Sequence, residues 1–213
     1  MSRLSHVYLE KGGTPRLRRR PAAPGRGSTI FDVSLARPAV LVSVTRPTAA
    51  DGAEFVERAR ASAELHHPWV TPPTTAAQYD TYLRRVQQTG FSGYLARRQE
   101  DGALVGYFTL GHIVRDALQS AYLGYAGFVP YTGRGYMSEA MQQVLDDAFG
   151  RLQLHRVEAN IQPANAPSIA LARRTGFQLE GFSPAYLRIG GEWRDHERWA
   201  IRADTWAELS ASR

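Results

Sequence analysis

The spacing of apolar residues divides the first half of the chain into strands, helices and a loop. The stretch AVLVSV at 39–44 alternates weakly and predicts a first strand. Residues 48–65 keep apolar side chains at helical spacing, and Thr48 is placed to cap the helix that they predict. Three prolines interrupt residues 66–73, which therefore predict a loop. A second helix is predicted over 75–90 and ends on a glycine.

The second half of the chain reads as strands interleaved with two helices. Residues 137–152 are amphipathic, and one helical face carries Met141, Val144, Leu145, Ala148 and Phe149. A further helix is predicted at 166–176. Strands are predicted at 92–98, 103–113, 120–129, 155–161, 177–191 and 192–203. Helices that alternate with strands in this way predict a mixed sheet covered by helices.

A short glycine loop, YTGRGYM at 131–137, joins a predicted strand to the amphipathic helix. Free backbone N–H groups at a helix N-terminus favour an anion, and glycines let it approach closely. Arg134 adds a cation between Gly133 and Gly135. The loop lacks the Lys-Ser/Thr pair of a P-loop and the third glycine of a dinucleotide fingerprint. These residues alone leave an anion site and a plain turn both open.

The positive charge of the chain is concentrated at its beginning. Residues 1–28 contain seven basic residues and one acid, a net +6 that equals the net charge of all 213 residues. We therefore predict a flexible leader at 1–28 and a single domain at 29–213. The leader is either a solvated tail or a contact to a nucleic acid such as RNA, because clustered arginine attracts phosphate.

The composition excludes several kinds of chemistry. The chain has no cysteine, which excludes disulfides, thiolate metal sites and thiol nucleophiles. No window approaches the length of a membrane span, and the first residues lack a signal peptide's apolar stretch. The sequence thus predicts a cytoplasmic protein with no membrane partner. No metal site is predicted, since the adjacent His66 and His67 do not suit one shared ion.

Three stretches carry a resemblance to a known family: YLGYAGFVPYTGRGYMSEAM, LHRVEANIQPANAPSIALARRTGFQLEGF and YLRIGGEWRDHERWAI. Together they resemble the GNAT acyltransferase superfamily, and within it the RimJ/RimL-type protein N-terminal acetyltransferases, RimJ above all. The resemblance spans roughly residues 30–206. It implies an α+β (mixed α/β) GNAT fold with a central, mostly antiparallel, twisted sheet of about seven strands. Helices would cover both faces, and a splayed strand pair would form an acetyl-CoA cleft.

The resemblance implies acetyl-CoA as co-substrate. Backbone amides of the glycine loop would hold its pyrophosphate, and residues 126–129 would pair with its pantetheine arm as an added strand. The family usually has Gln or Arg at the position of Thr132, and Arg134 could bind the phosphate in place of that side chain. The implied cofactor-binding set is Gly127, Phe128, Val129, Gly133, Arg134, Gly135, Tyr136, Met137, Asn165, Ser168 and Arg174.

Three residues are candidates for the chemistry itself. The resemblance implies Ser168 as the partner or proton donor of the leaving thiolate. A structural alternative stays open, because Asn165 can cap the helix and Ser168 can satisfy a free N–H in its first turn. Glu158 is a candidate base that would act through water, and Tyr186 is a candidate in the acceptor site.

Several other side chains near these motifs have either a structural role or a position in the acceptor site. Glu139 suits the first turn of its helix, where the dipole favours a carboxylate. Core or wall positions are expected for Tyr122 and Tyr125, and core or interface positions for Trp193 and Trp199. By family position, the acceptor is bordered by His66, His67 and Trp69. An acceptor-site lining and a cross-strand network are both open for Asp195 and His196.

The predicted reaction is acetyl transfer to an amine, by direct transfer in a ternary complex since no cysteine can carry the acetyl group. A peptide α-amine has a pKa of about 7.7–8.0, against about 10.4 for lysine, and so needs less help from a base. This favours the N-terminal amine of a protein, with a ribosomal protein as the family's example. A small-amine acetyltransferase, acting on an amino acid, polyamine or antibiotic, remains the alternative. A non-catalytic CoA- or RNA-binding module also remains open, as do monomer and homodimer.

Overall fold

The strands of the protein form a single seven-stranded sheet in a computed structural model that describes residues 41–212. Their bounds are β1 Val42–Thr45, β2 Ser92–Arg98, β3 Leu104–Val114, β4 Ser120–Gly127, β5 Arg156–Ile161, β6 Gln178–Ile189 and β7 Glu192–Arg202. The order across the sheet is β1-β2-β3-β4-β5-β7-β6. All neighbours are antiparallel except β4 and β5, which are parallel. The predicted mixed, mostly antiparallel sheet is confirmed.

Helices lie between these strands. Their bounds are α1 Gly52–Ala61, α2 Ala63–His66, α3 Ala76–Val86, α4 Tyr136–Phe149, α5 Ala166–Arg174 and α6 Ala203–Ala211, and a 3-10 turn, Ala49–Asp51, precedes α1. None of the helices within residues 41–212 combines the length and the hydropathy of a membrane span.

The helices cover both faces of the sheet because strand side chains alternate between the faces. Leu95 on β2 packs in a cluster with Phe55 of α1 and Tyr79 of α3. Its neighbours Tyr94 and Ala96 belong to a larger cluster on the opposite face, which α4 and α5 cover. The buried face of α4 consists of Ala140, Met141, Val144, Leu145 and Ala148. The predicted apolar face of this helix is therefore confirmed, except that Phe149 is only half-buried.

The single helix predicted over 48–65 is wrong, because the structure interrupts it at Ser62. This residue is buried, and its φ and ψ of −101° and 13° depart from helical values. Its hydroxyl donates to the carbonyl of Arg58 at 2.8 Å and accepts from the N–H of Val129 at 3.0 Å. The hydroxyl therefore joins the helix end to the segment after β4, and the chain turns there.

Two further predictions differ from the structure or fall outside it, and one helix was not predicted. The strand predicted over 120–129 ends at Gly127. Helix α6 was not predicted; it is anchored by Trp206, whose indole donates to Asp146 Oδ1 at 2.9 Å. The predicted leader at 1–28 lies outside the described residues.

Strands β4 and β5 separate partway along their length. Their ladder pairs Ser120 with Arg156 and ends where Tyr122 meets Glu158. Beyond that point β4 continues to Gly127 beside β3, and β5 continues to Ile161 beside β7. The predicted splayed strand pair is therefore present, and it opens a wedge at the centre of the sheet.

Candidate active site

The wedge between β4 and β5 is the mouth of a cleft of about 530 Å³. One wall is the second half of β4, and the opposite wall is the end of β5. The glycine loop and the first turn of α4 close one end, and the first turns of α5 line the side. The cleft thus combines a separated strand pair with two helix N-termini.

The glycine loop offers unpartnered donors to this cleft. Gly133 and Gly135 have φ angles of 76° and 87°, and an added Cβ at either would meet no atom within 4 Å. Within the described part of the chain, the N–H groups of Gly133 to Met137 donate no hydrogen bond. The 14-residue helix α4 begins at Tyr136, so its dipole adds positive potential there. Backbone and space both fit a phosphate group.

Two basic side chains stand beside the loop. Arg134 is exposed between the glycines. Arg174, near the end of α5, lines the cleft and donates to Ser138 Oγ of α4 at 3.0 Å. Arg174 sits where a phosphorylated ligand in the cleft would gain a charged hydrogen bond, whereas Arg134 is not among the residues that line the cleft.

The edge of β4 has fewer free groups than the sequence predicts. The N–H of Phe128 donates to Val105 O at 2.8 Å, and the N–H of Val129 donates to Ser62 Oγ. Because backbone groups alternate along a strand, Gly127 faces the wedge when Phe128 faces β3. The sequence predicts that residues 126–129 pair with the pantetheine arm. Among these four residues, Gly127 is the one whose N–H faces the wedge and could donate to that arm.

Ser168 lies in the first turn of α5 and makes two separate contacts. Its N–H donates to Asn165 Oδ1 at 3.2 Å, so Asn165 caps the helix. Its Oγ lies 2.7 Å from the hydroxyl of Tyr125 on β4. Because Asn165 caps the helix, the Ser168 hydroxyl has no role as a cap. It contacts Tyr125 on the wall of the cleft instead.

Tyr125 was predicted as a core or wall residue, and the structure gives it a polar contact as well. Burial raises the pKa of its phenol to about 12, although the hydrogen bond with Ser168 lowers it. The phenol is thus a neutral hydrogen-bonding group at ordinary pH. Its hydroxyl and that of Ser168 form a pair on the wall of the cleft.

Two of the three candidate catalytic residues do not line the cleft. Glu158 accepts from Arg156 Nε at 2.8 Å, and Arg156 also binds Glu180. The ring of Tyr186 packs 6.0 Å from that of His196, and its proximity raises the pKa of Tyr122 to about 12. The structure brings Ser168 to the cleft and leaves Glu158 and Tyr186 in cross-strand networks beside it.

A second cleft, of about 720 Å³, adjoins the first. The loop after α2 and the tip of the β6–β7 hairpin line it, and it shares His66, Val70 and Ile189 with the first cleft. The side-chain amide of Gln162, at the end of β5, donates to Pro68 O at 3.3 Å and so holds this loop against the sheet.

The side chains predicted near the acceptor divide between the two clefts. His67 lines the second cleft and Trp69 the first, whereas His66 lines both. His196 lines the first, and burial lowers its pKa despite a hydrogen bond of 2.9 Å to Arg194 O. Asp195 instead accepts from the N–H of Ala185 at 2.7 Å, a cross-strand contact.

The remaining candidates have structural positions. Glu139 Oε1 accepts from the N–H groups of Leu41 and Val42, so it joins α4 to β1 rather than acting in the cleft. Trp199 is buried under Arg173, whereas Trp193 is 64% exposed.

Comparisons with known proteins agree with this geometry. A family model described as an acetyltransferase (GNAT) domain matches residues 42–178. A Bacillus subtilis protein named probable N-acetyltransferase YjcK is 36% identical over 124 residues, covering 58% of this chain and 67% of its own length. An Escherichia coli alanine N-acetyltransferase of ribosomal protein uS5 is 33% identical over 107 residues. That match covers 50% of this chain and just over half, 55%, of the relative.

A solved structure is similar over more of the chain. It is RimJ from Mycobacterium smegmatis in complex with CoA-disulfide, with a TM-score of 0.73 and 29% identity. The similarity covers 82% of this chain and 90% of that one.

Proposed function

The chain belongs to the GNAT acetyltransferase family, and on that premise we propose that it transfers the acetyl group of acetyl-CoA to the N-terminal α-amine of a protein. The proposed acceptor is a ribosomal protein, as in the name of the Escherichia coli relative. The observation that carries the proposal is the junction of two clefts, one ending in the glycine loop and the other lined, among the described residues, by a single carboxylate that is paired with an arginine.

The first cleft is the proposed acetyl-CoA site. The N–H groups of Gly133 to Met137 would hold the pyrophosphate, with Arg134 and Arg174 as cations. The backbone of Gly127 would face the pantetheine arm, and Asn165 would hold the first turn of α5 against it. Bound acetyl-CoA would supply the activated acetyl group.

The Tyr125–Ser168 pair is the proposed partner of the leaving sulfur. The Ser168 hydroxyl would donate to the developing thiolate, and its contact with Tyr125 at 2.7 Å would hold that hydroxyl in place. A donor aimed at a developing negative charge stabilises the transition state more than the ground state.

The second cleft favours a peptide over a polyamine. Among the described residues that line it, Glu192 is the one carboxylate, and it already pairs with Arg194 at 2.5 Å. A polyamine carries several positive charges, each needing a carboxylate when removed from water. Threonine, proline and glutamine side chains suit a peptide backbone instead.

The experiment is a titration of acetyl-CoA by calorimetry, followed by thiol release with a panel of amines. The panel holds peptides with a free α-amine, the same peptides N-terminally blocked with a lysine inside, and spermidine. We expect saturable binding and release only with free α-amines. Faster reaction of the blocked lysine peptide or of spermidine would reject the proposed acceptor, and no binding would reject the cofactor.

A further inference from the structure

His66 occupies the junction of the two clefts and takes no part in the function proposed so far. It ends α2, lines both clefts and is only 4% exposed. Its Nε2 lies 2.8 Å from the carbonyl oxygen of Gly127, at the end of the separated strand β4. A carbonyl can only accept, so Nε2 carries the proton in this contact.

The other ring nitrogen of His66 is left with a lone pair. Within the described residues, Nδ1 is buried and has no hydrogen-bond partner. Burial also lowers the pKa of the imidazole, although the hydrogen bond to Gly127 raises it, so the ring is neutral near pH 7. A buried, neutral acceptor without a partner is costly in a purely structural role.

We propose that His66 is a catalytic residue, the base that takes the proton of the acceptor amine at Nδ1. The nitrogen lone pair forms the C–N bond, an N–H proton passes to Nδ1, and the C–S electron pair leaves on sulfur. The hydrogen bond to Gly127 fixes the tautomer that leaves the lone pair on Nδ1. Because Nδ1 is buried in the structure, the proton transfer requires the acceptor amine to displace the groups that cover this atom. The junction of the clefts is where an amine in the second meets an acetyl group in the first.

The surroundings of His66 contain other groups that titrate or carry charge. The ring of Phe128 packs against it at 5.8 Å. The ionisable side chains that line the two clefts with it are His67, Tyr125, Tyr131, Tyr136, Arg174, Glu192, Arg194 and His196. His196 is the rival base, because burial also lowers its pKa.

The test compares His66→Gln with His196→Gln and with the control His155→Gln, an exposed histidine outside both clefts. Glutamine can still donate to Gly127 O but cannot take a proton. We expect kcat at pH 7 to fall about 100- to 10,000-fold in His66→Gln, by less in His196→Gln and not in His155→Gln. The deficit should narrow toward pH 9.5 as hydroxide replaces the base, and the calorimetric Kd for CoA should stay unchanged. A kcat within about threefold of the parent, or a larger loss in His196→Gln, would overturn the proposal.

A second measurement uses the unaltered protein and needs no turnover. Nitrogen-15 NMR of the histidine rings should show His66 neutral at pH 7 with the proton on Nε2, and an added acceptor amine with CoA should shift the Nδ1 signal. A protonated ring or a proton on Nδ1 at pH 7 would contradict the inference.

This inference rests on the proposed function only in needing an amine acceptor. If the parent enzyme acetylates spermidine but no peptide, the peptide acceptor fails. The same variants assayed with spermidine then decide the role of His66.

Discussion

At the scale of single residues, the contact between Tyr125 and Ser168 carries the sharpest prediction. Ser168→Ala removes the donor for the leaving sulfur, so we expect kcat to fall about 10- to 1000-fold. Asn165 still caps α5 in this variant, so the calorimetric Kd for acetyl-CoA should stay unchanged.

The matched variant Tyr125→Phe keeps the ring and removes only the group that holds the Ser168 hydroxyl. We expect a smaller loss of kcat, and the double variant should lose no more than Ser168→Ala alone. Additive losses in kcat would show that the two hydroxyls act separately.

The sequence predicts where the glycine loop and α5 lie and which residue caps α5. It does not predict the hydrogen-bond partners of Ser168 and His66. Asn165 and Ser168 lie within one turn, so their spacing alone indicates a cap. Tyr125 lies 43 residues away and reaches Ser168 only across the wedge between β4 and β5. Local spacing cannot reveal such a contact, since it depends on where two strands separate.

At the scale of elements, two glycine substitutions should separate an effect on CoA affinity from an effect on the unfolding free energy. Gly135→Ala places a Cβ at a φ of 87°, which should cost about 1 kcal/mol of unfolding free energy. The new methyl also projects where an anion would approach, so the Kd for CoA should rise roughly tenfold or more, about 1.4 kcal/mol.

The control is Gly102→Ala, in the β2–β3 turn, with a φ of 74° and equally open space. It should lose similar stability in urea unfolding and bind CoA normally by calorimetry. Equal effects of both variants on CoA affinity would mean that the loop does not hold the phosphates.

Elements with strong local signals are predictable, and those fixed by distant contacts are not. Helix α4 has an apolar stripe and a preceding glycine, and both are visible in the sequence. The break at Ser62 depends on the N–H of Val129, 67 residues away. Helix α6 rests largely on one buried aromatic residue, Trp206, too little for a periodic pattern.

A charged network attaches the start of α1 to the sheet and predicts a pH dependence. Arg97 on β2 donates to Asp51 at 2.6 Å and to Glu54 at 2.7 Å. Burial alone would raise the pKa of Asp51, but hydrogen bonds from Thr48 and Arg97 hold it below 3.8. A lowered folded-state pKa gives stability that is present above pH 3.8 and is lost as the pH falls through the folded pKa.

Arg97→Gln should therefore lower the unfolding free energy by about 1–2 kcal/mol at pH 7. The loss should shrink below pH 3.8, as Asp51 becomes protonated in the parent as well. Urea unfolding at pH 7 and pH 3 measures both values. Arg202→Gln, which breaks an exposed pair with Asp204, should cause no measurable change at either pH.

At the scale of the whole molecule, the separation of β4 from β5 determines where the clefts lie. Because β4 and β5 pair for only three residues before they separate, their ends form two walls of the first cleft. The hydroxyl of Ser62, at the α1–α2 break, and the ring of His66 are both hydrogen-bonded to the end of β4 or the residues just after it. The segment beside the second cleft is therefore hydrogen-bonded to the strand end that lines the proposed cofactor site.

The leader at 1–28 supplies the last prediction, which concerns charge. Its net charge of +6 leaves the remaining residues neutral overall, so we propose that residues 1–28 supply most of any long-range attraction to ribosomal RNA. Deleting it should leave turnover of a short peptide unchanged and lower kcat/KM on intact ribosomes several-fold at low salt. The difference should vanish near 1 M salt, where the screening length is about 3 Å.

A variant of all 213 residues with Arg16, Arg18, Arg19 and Arg20 changed to Gln separates the effect of charge from the effect of chain length. If both variants match the parent on ribosomes at low and moderate salt, the leader does not dock the enzyme.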